Sequence, residues 1–223
     1  VTIFSSNYTL YADISARLTL IYNQFCPDVE FYSIDESFLK FPDWKNVDFL
    51  ELGKKLRTTA ADFTHIPVSV GGAPTKTLAK LCNKLAKKRG GVCIWDTLNK
   101  DKELSQVKVG DIWGIGYAKE KTLNKMGVFT ALDLKYFPLD KAKKHLTITG
   151  YKTVRELNEI PALDVQQSSN RDNISTSKSF AKGVTDISEL ETALNEYCTL
   201  AIERMHREES SCRVICVFLG TAR

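Results

Sequence analysis

A chain of 223 residues with 31 Lys and Arg against 27 Asp and Glu carries a formal net charge of +4, and 43% of it is hydrophobic. That balance excludes a disordered tail, a coiled coil and a collagen-like repeat, and it leaves room for one to three globular domains. No apolar run approaches the roughly 18 residues of a membrane span. The chain opens on Val1, with no initiator Met, basic leader or secretory core, so it is expected to be an internal piece of something longer.

The elements follow in order. Tyr8 to Phe25 has Leu10, Ile14, Leu18 and Ile21 at helical spacing, and Pro27 stops it. Val29 to Ile34 reads as a strand and Ser37 to Phe41 as a second, with Asp35 and Glu36 between them. Asp48 to Phe63 is helical, with Phe49, Leu52 and Leu56 on one face. Pro67 to Gly71 is a short buried strand, Thr77 to Lys88 a helix closed by Gly90 and Gly91, and Val92 to Trp95 another strand. Helices from Leu98 to Asp164 are short and their turns centre on glycine. Residues 166–175 are polar and aperiodic, the composition of a linker. Thr176–Phe180, a helix from about Ile187 to Glu208 and the apolar strand Val214–Leu219 form a β-α-β piece, too small to bury both faces alone.

Six cysteines form no CxxC pair and three histidines stand apart from them, so neither a zinc cluster nor a disulfide framework is indicated. A reducing cytoplasm fits that usage. Charge is unevenly placed: residues 1–70 are net −3, 71–102 net +6, 103–165 net +2 and 166–223 net −1. A single stretch of about thirty residues supplies the whole excess, which suggests a local contact with a polyanion.

Three motifs carry candidate chemistry. In Phe31–Leu39, Asp35 and Glu36 would point to opposite faces of a regular strand, but at the bend of a hairpin they can converge into a hard oxygen site for Mg²⁺. The alternative is an acidic turn facing solvent. In Val68–Lys88, a Gly-rich turn feeds a helix whose apolar stripe is Leu78, Leu81, Cys82 and Leu85. Lys76, Lys80, Lys84, Lys87 and Lys88 lie on the other side, either meeting phosphates or forming a solvated face. The spacing is not that of a P-loop. In Val109–Lys119, Gly114-Ile115-Gly116 between short helices has the helix-hairpin-helix pattern. Two glycines let a nucleic-acid backbone approach, and Lys119 and Lys121 supply charge. A plain helical turn with Gly caps is the competing reading. His145–Glu156, around Gly150, reads as a degenerate second copy.

In this order the motifs resemble one family, the Y-family translesion DNA polymerases, and within it the UmuC-type subunit of bacterial DNA polymerase V. Ser5–Tyr8, Tyr32–Phe38, Val70–Lys88 and Ser175–Phe180 carry the resemblance, which runs over practically the whole chain. It implies an α+β architecture. Residues 1–97 would be a partial palm (a mixed sheet with helices) and 98–165 an all-helical thumb with the helix-hairpin-helix. Residues 166–175 would be a linker and 176–223 the start of a β-α-β little finger. It also implies two-metal addition of deoxynucleotides to a primer end opposite damaged template, with two Mg²⁺ ions in the complete enzyme.

Carried over by residue, the resemblance makes Asp35 a metal ligand and Glu36 its catalytic neighbour on the metal. Lys87 would reach the incoming triphosphate. Lys76, Lys80, Gly114, Gly116, Lys119, Lys121 and Lys178 would meet primer-template DNA. Family members begin with an Asp-bearing strand and fingers that nothing before Asp13 supplies, so the chain is expected to be truncated at both ends and by itself inactive. Implied partners are a processed UmuD-type dimer, a RecA filament and a sliding clamp, with no membrane. The contrasting reading is a non-catalytic DNA-binding remnant or a structural module.

Overall fold

A computed structural model describes residues 2, 4, 6–42, 47–165 and 173–221. It divides into two compact units, Val1–Ser168 and Ser169–Arg223. Ser5 and residues 166–172 of the expected linker lie outside the described residues.

The first unit opens with α1 (Tyr8–Phe25), whose Leu10 amide is capped by the Asn7 side chain at 3.0 Å. Of the expected apolar stripe only Leu18 and Ile21 are buried; Leu10 stays half exposed. Strands β1 (Val29–Ser33) and β2 (Glu36–Leu39) form an antiparallel hairpin turned by Ile34 and Asp35. Helix α2 (Phe49–Thr64) starts where the Asp48 carboxylate accepts from the amides of Leu50 and Glu51, and it stops at His65, in the left-handed region at φ +57°. Its buried line is Gly53, Leu56 and Ala60 rather than Phe49, Leu52 and Leu56.

Next come β3 (Val70–Gly72), α3 (Lys76–Ala86) and β4 (Val92–Ile94), with β3 and β4 parallel. The single mixed sheet expected from the sequence is therefore two separate two-stranded sheets among the described residues. The strand expected from Pro67 begins only at Val70. Arg57 takes the Val68 carbonyl and Asn83 the Ser69 carbonyl, so neither is left for a ladder. Gly71 lies flat against α3, where a Cβ would collide with the backbone of Ala79 and Asn83.

Helices α4 (Lys100–Gln106), α5 (Tyr117–Lys125), α6 (Ala131–Lys135) and α7 (Leu139–Leu157) complete the unit. Thr130 and Asp133 make a reciprocal capping box at α6. One core joins all of this: Leu78, Leu81 and Cys82 from α3, Trp95, then Leu104, Leu123, Leu134, Leu146, Val154 and Leu157 from α4 to α7.

The second unit holds α8 (Ile187–Arg207), none of whose residues is buried. The expected strands at Thr176–Phe180 and Val214–Leu219 do not form. Val214, Ile215, Val217, Phe218 and Leu219 are all exposed; an apolar segment becomes a strand only against a ladder partner, and none of the described residues supplies one. No helix among the described residues is long and apolar enough to cross a membrane.

Candidate nucleic-acid and nucleotide site

The β1–β2 turn fixes the two acidic residues differently. Asp35 lies in the turn, exposed, and its Oδ1 accepts from the Ser33 hydroxyl at 2.7 Å. Glu36 begins β2 and pairs with Lys80 at 2.5 Å. Hard divalent ions take about six oxygen donors. Two carboxylates, one already paired with a lysine, fall short of that, and no group of three or more His, Cys, Asp and Glu able to hold a metal occurs among the described residues. The donors present therefore do not make a two-ion site, and no step of catalysis follows from them.

The lysines of α3 are not one basic face. Lys76 is turned inward: its ammonium meets both oxygens of Glu30 at 2.7 and 2.8 Å, the two side chains being only 10% and 11% exposed. It also donates to the Asp164 carbonyl and lies 4.6 Å from the Phe38 ring centroid. A contact with DNA, as expected for Lys76, would have to compete with a carboxylate that already holds its charge in a largely desolvated place. Lys80 pairs with Glu36 and Lys84 with Asp111 at 3.1 Å. Lys87 and Lys88, past the end of the helix, are exposed and make no ion pair among the described residues. Lys80, Lys84 and Lys87 line a cleft of about 370 Å³ together with Glu36, Asp111 and Trp113. It is a mixed-charge cleft.

The Gly114–Gly116 turn is anchored by Ile112 and Ile115, both buried. Gly114 sits at φ +87°, a conformation that disfavours any side chain. Gly116 is different: its φ is −86°, it caps α5 without a side chain, and a Cβ there would meet nothing within 4 Å. Helix α5 thus begins with no side-chain cap hydrogen bond and with open space beside its capping glycine. Lys119 reaches back to the Gly114 carbonyl at 2.9 Å and across to Thr149 Oγ1 at 2.6 Å. Lys121 is exposed on α5.

The Thr149 contact leads into the stretch expected to be a second copy of the turn. Helix α7 is interrupted at Thr147, with φ +65° and ψ −174°, and the Thr147 and Thr149 hydroxyls are 3.1 Å apart. The run Thr147-Ile148-Thr149-Gly150 occupies the expected second copy, and Lys119 braces the two turns against each other. The two threonines escaped the sequence reading, although Thr-Ile-Thr-Gly repeats the apolar-flanked pattern of Gly114–Gly116.

Another residue missed was Glu156. Fully buried on α7, it accepts from the Thr77 amide and hydroxyl at 2.8 Å each, and from the amides of Ala162 and Leu163 at 3.2 and 3.0 Å. A carboxylate at the start of α3 also suits the helix dipole. It ties α3, the hairpin-bearing α7 and the segment after α7 into one knot. In the second unit, Lys178 is exposed on irregular backbone.

Residues 1–84 match the impB/mucB/samB family, and residues 171–223 match the impB/mucB/samB family C-terminal domain. Protein UmuC of Salmonella typhimurium is 39% identical over 229 residues, a match covering 100% of this chain and 54% of that protein. MucB of Escherichia coli is 36% identical over 228 residues with the same two coverages, 100% and 54%. DNA polymerase IV of Staphylococcus aureus is 27% identical over 223 residues, covering 97% of this chain and 61% of its own. A Y-family DNA polymerase chimera of Dbh and Dpo4 superposes with a TM-score of 0.70 at 20% identity, over 89% of this chain and 58% of that one. A DinB family error prone DNA polymerase from Sulfolobus solfataricus gives 0.61 at 20% identity, over 91% and 62%. The structural likeness is one of fold. The chain spans about half, 54%, of the length of the curated relatives UmuC and MucB.

Proposed function

Because the chain belongs to the impB/mucB/samB family, we propose that it is part of an error-prone, translesion DNA polymerase, and that its first unit grips primer-template duplex. The observation that carries this is the open approach to Gly116. Helix α5 starts there without a side-chain cap, a Cβ on Gly116 would meet nothing within 4 Å, and Lys121 follows one turn further on, a helix start a phosphate could approach. Lys119 cross-braces the two hairpins and keeps one ammonium N–H for a phosphate. In this reading 1–97 is part of the palm, 98–165 the thumb and 176–223 part of the little finger, with Lys178 on its DNA face.

Lys87 is the residue proposed to meet the triphosphate of an incoming deoxynucleotide, being exposed, lining the mixed-charge cleft and making no ion pair among the described residues. Lys80 and Lys84 keep their carboxylate partners and shape that cleft. Asp35 and Glu36 would belong to the Mg²⁺ site of the whole polymerase only with further carboxylates beside them. The partners of the whole protein, a UmuD-type dimer, RecA filament and sliding clamp, are part of the same proposal. The incomplete donor set favours a second reading for the 223 residues taken alone: a DNA-holding piece without chemistry.

The test is fluorescence anisotropy of the chain with a labelled duplex across a salt series. Each phosphate contact contributes a slope of about −0.9 in log K against log salt, so a few lysines should give roughly −2 to −4. Lys121→Ala should flatten the slope by about one. An affinity indifferent to salt, or unchanged by Lys121→Ala, would refute the proposed grip. Primer extension by the same chain should be absent.

A further inference from the structure

Strands β1 and β2 are out of step by one residue. Phe31 faces Ser37 and Ser33 faces Glu36, which leaves Tyr32 as the extra residue of a bulge. A bulge re-aims its side chain, and here it turns the phenol toward Trp113. The Trp113 indole N–H donates to the Tyr32 hydroxyl oxygen at 3.1 Å, and the rings meet edge to face at 5.4 Å and 83°. Phe38 of β2 closes a three-ring cluster, 5.7 Å from each of the other two. Lysines flank it on both sides, Lys76 against Phe38 and Lys80 5.2 Å from the Tyr32 centroid.

The two ends of this cluster matter. Tyr32 stands three residues before Asp35, and Trp113 immediately precedes Gly114. Residues 81 apart in sequence thus bolt the acidic turn to the glycine hairpin. We propose that Trp113 and Tyr32 are positioning residues whose shared hydrogen bond couples the place of the Asp35–Glu36 turn to the grip of the Gly114–Gly116 hairpin on duplex. The coupling rests on the duplex reading of that hairpin. Its physical basis is preorganisation: a hairpin held by the clasp need not be ordered on binding, whereas a freed one must be. By reciprocity, duplex bound at the hairpin tightens the clasp and steadies the acidic turn.

A double-mutant cycle on the 223-residue chain, labelled with fluorotryptophan and titrated with a short duplex, tests this. Trp113→Phe and Tyr32→Phe delete the same bond while keeping both rings. Each should weaken duplex binding about fivefold, the low end of measured couplings between sites, and the double variant should lose no more than either alone. The fluorine resonance that Trp113→Phe removes should be displaced in Tyr32→Phe and should move on duplex addition to the unmutated chain. Losses that multiply, or wild-type affinity in Tyr32→Phe, overturn the coupling while leaving duplex binding in place. A chain that binds no duplex at all overturns the reading of the hairpin and the coupling with it.

Discussion

Replacing Glu156 by Gln should cost the first unit about 2–4 kcal/mol, although the side chains have nearly the same shape. Both carboxylate oxygens are in use, Oε2 by the Thr77 amide and hydroxyl and Oε1 by the amides of Ala162 and Leu163. An amide side chain offers one oxygen, so its NH₂ must face two donors whichever way it is turned. A buried donor left without an acceptor costs about 1–3 kcal/mol, and the Thr77 hydroxyl recovers part of its share by rotating. Glu156→Ala should cost more, about 3–5 kcal/mol, since all four donors lose their acceptor at a site that is fully buried. Urea unfolding followed by far-ultraviolet circular dichroism measures both. In thermal melts the Gln variant should lose about 2–4 °C per kcal/mol. A Gln variant within about 0.5 kcal/mol of wild type, the range of ordinary surface changes, would refute the claim that two accepting oxygens hold this knot.

Other outcomes follow from single residues. Gly114→Ala should destabilise by about 1–2 kcal/mol because of its left-handed backbone, whereas Gly116→Ala should leave the urea midpoint unchanged and weaken duplex binding in anisotropy. Equal effects at the two sites would contradict the difference in φ. Thr147→Gly should raise the melting temperature, the relief of about 1–3 kcal/mol of backbone strain outweighing roughly 0.5–1 kcal/mol of added chain entropy. The hydrogen bond from Lys100, aided by that from Trp95, holds Glu159 below the usual carboxylate range. A carboxyl lowered in the folded state stabilises above its unfolded pKa and loses that contribution as pH falls through the folded value. Glu159→Gln should therefore melt lower than wild type at neutral pH, and the two curves should converge below about pH 4.

The parts of the fold that were legible in the sequence are those set by near neighbours. The helices opening near Tyr8 and Asp48 follow from apolar spacing within a few turns, and Gly114-Ile115-Gly116 declares its turn by backbone freedom alone. What the sequence could not give is set by residues far along the chain. Lys76 at the start of α3 and Lys87 just past its end read alike as members of one basic face, and the arrival of Glu30, 46 residues from Lys76, is what makes the first internal. Nothing around Glu156 in the sequence marks it as buried, because its donors, Thr77 and the 162–163 amides, come from two other segments. Val214–Leu219 has the composition of a strand, yet composition without a ladder partner does not make one. Asp35 and Glu36 were legible as a pair at a bend; that Lys80 claims one of them was not.

The unbroken core under α3 to α7 has a mechanical consequence. A break between Thr97 and Leu98 would strip cover from Leu78, Leu81, Cys82 and Trp95 on one side and from Leu104, Leu123 and Leu157 on the other. Close-packed interiors shift between discrete arrangements rather than bending smoothly. Helix α3 with Trp95 and the helices after it are therefore one rigid plate, and α4 to α7 cannot ride over α3 like a closing jaw. Adjustment to a duplex held as proposed would be left to the long exposed arms outside the plate, those of Lys87 and Lys121.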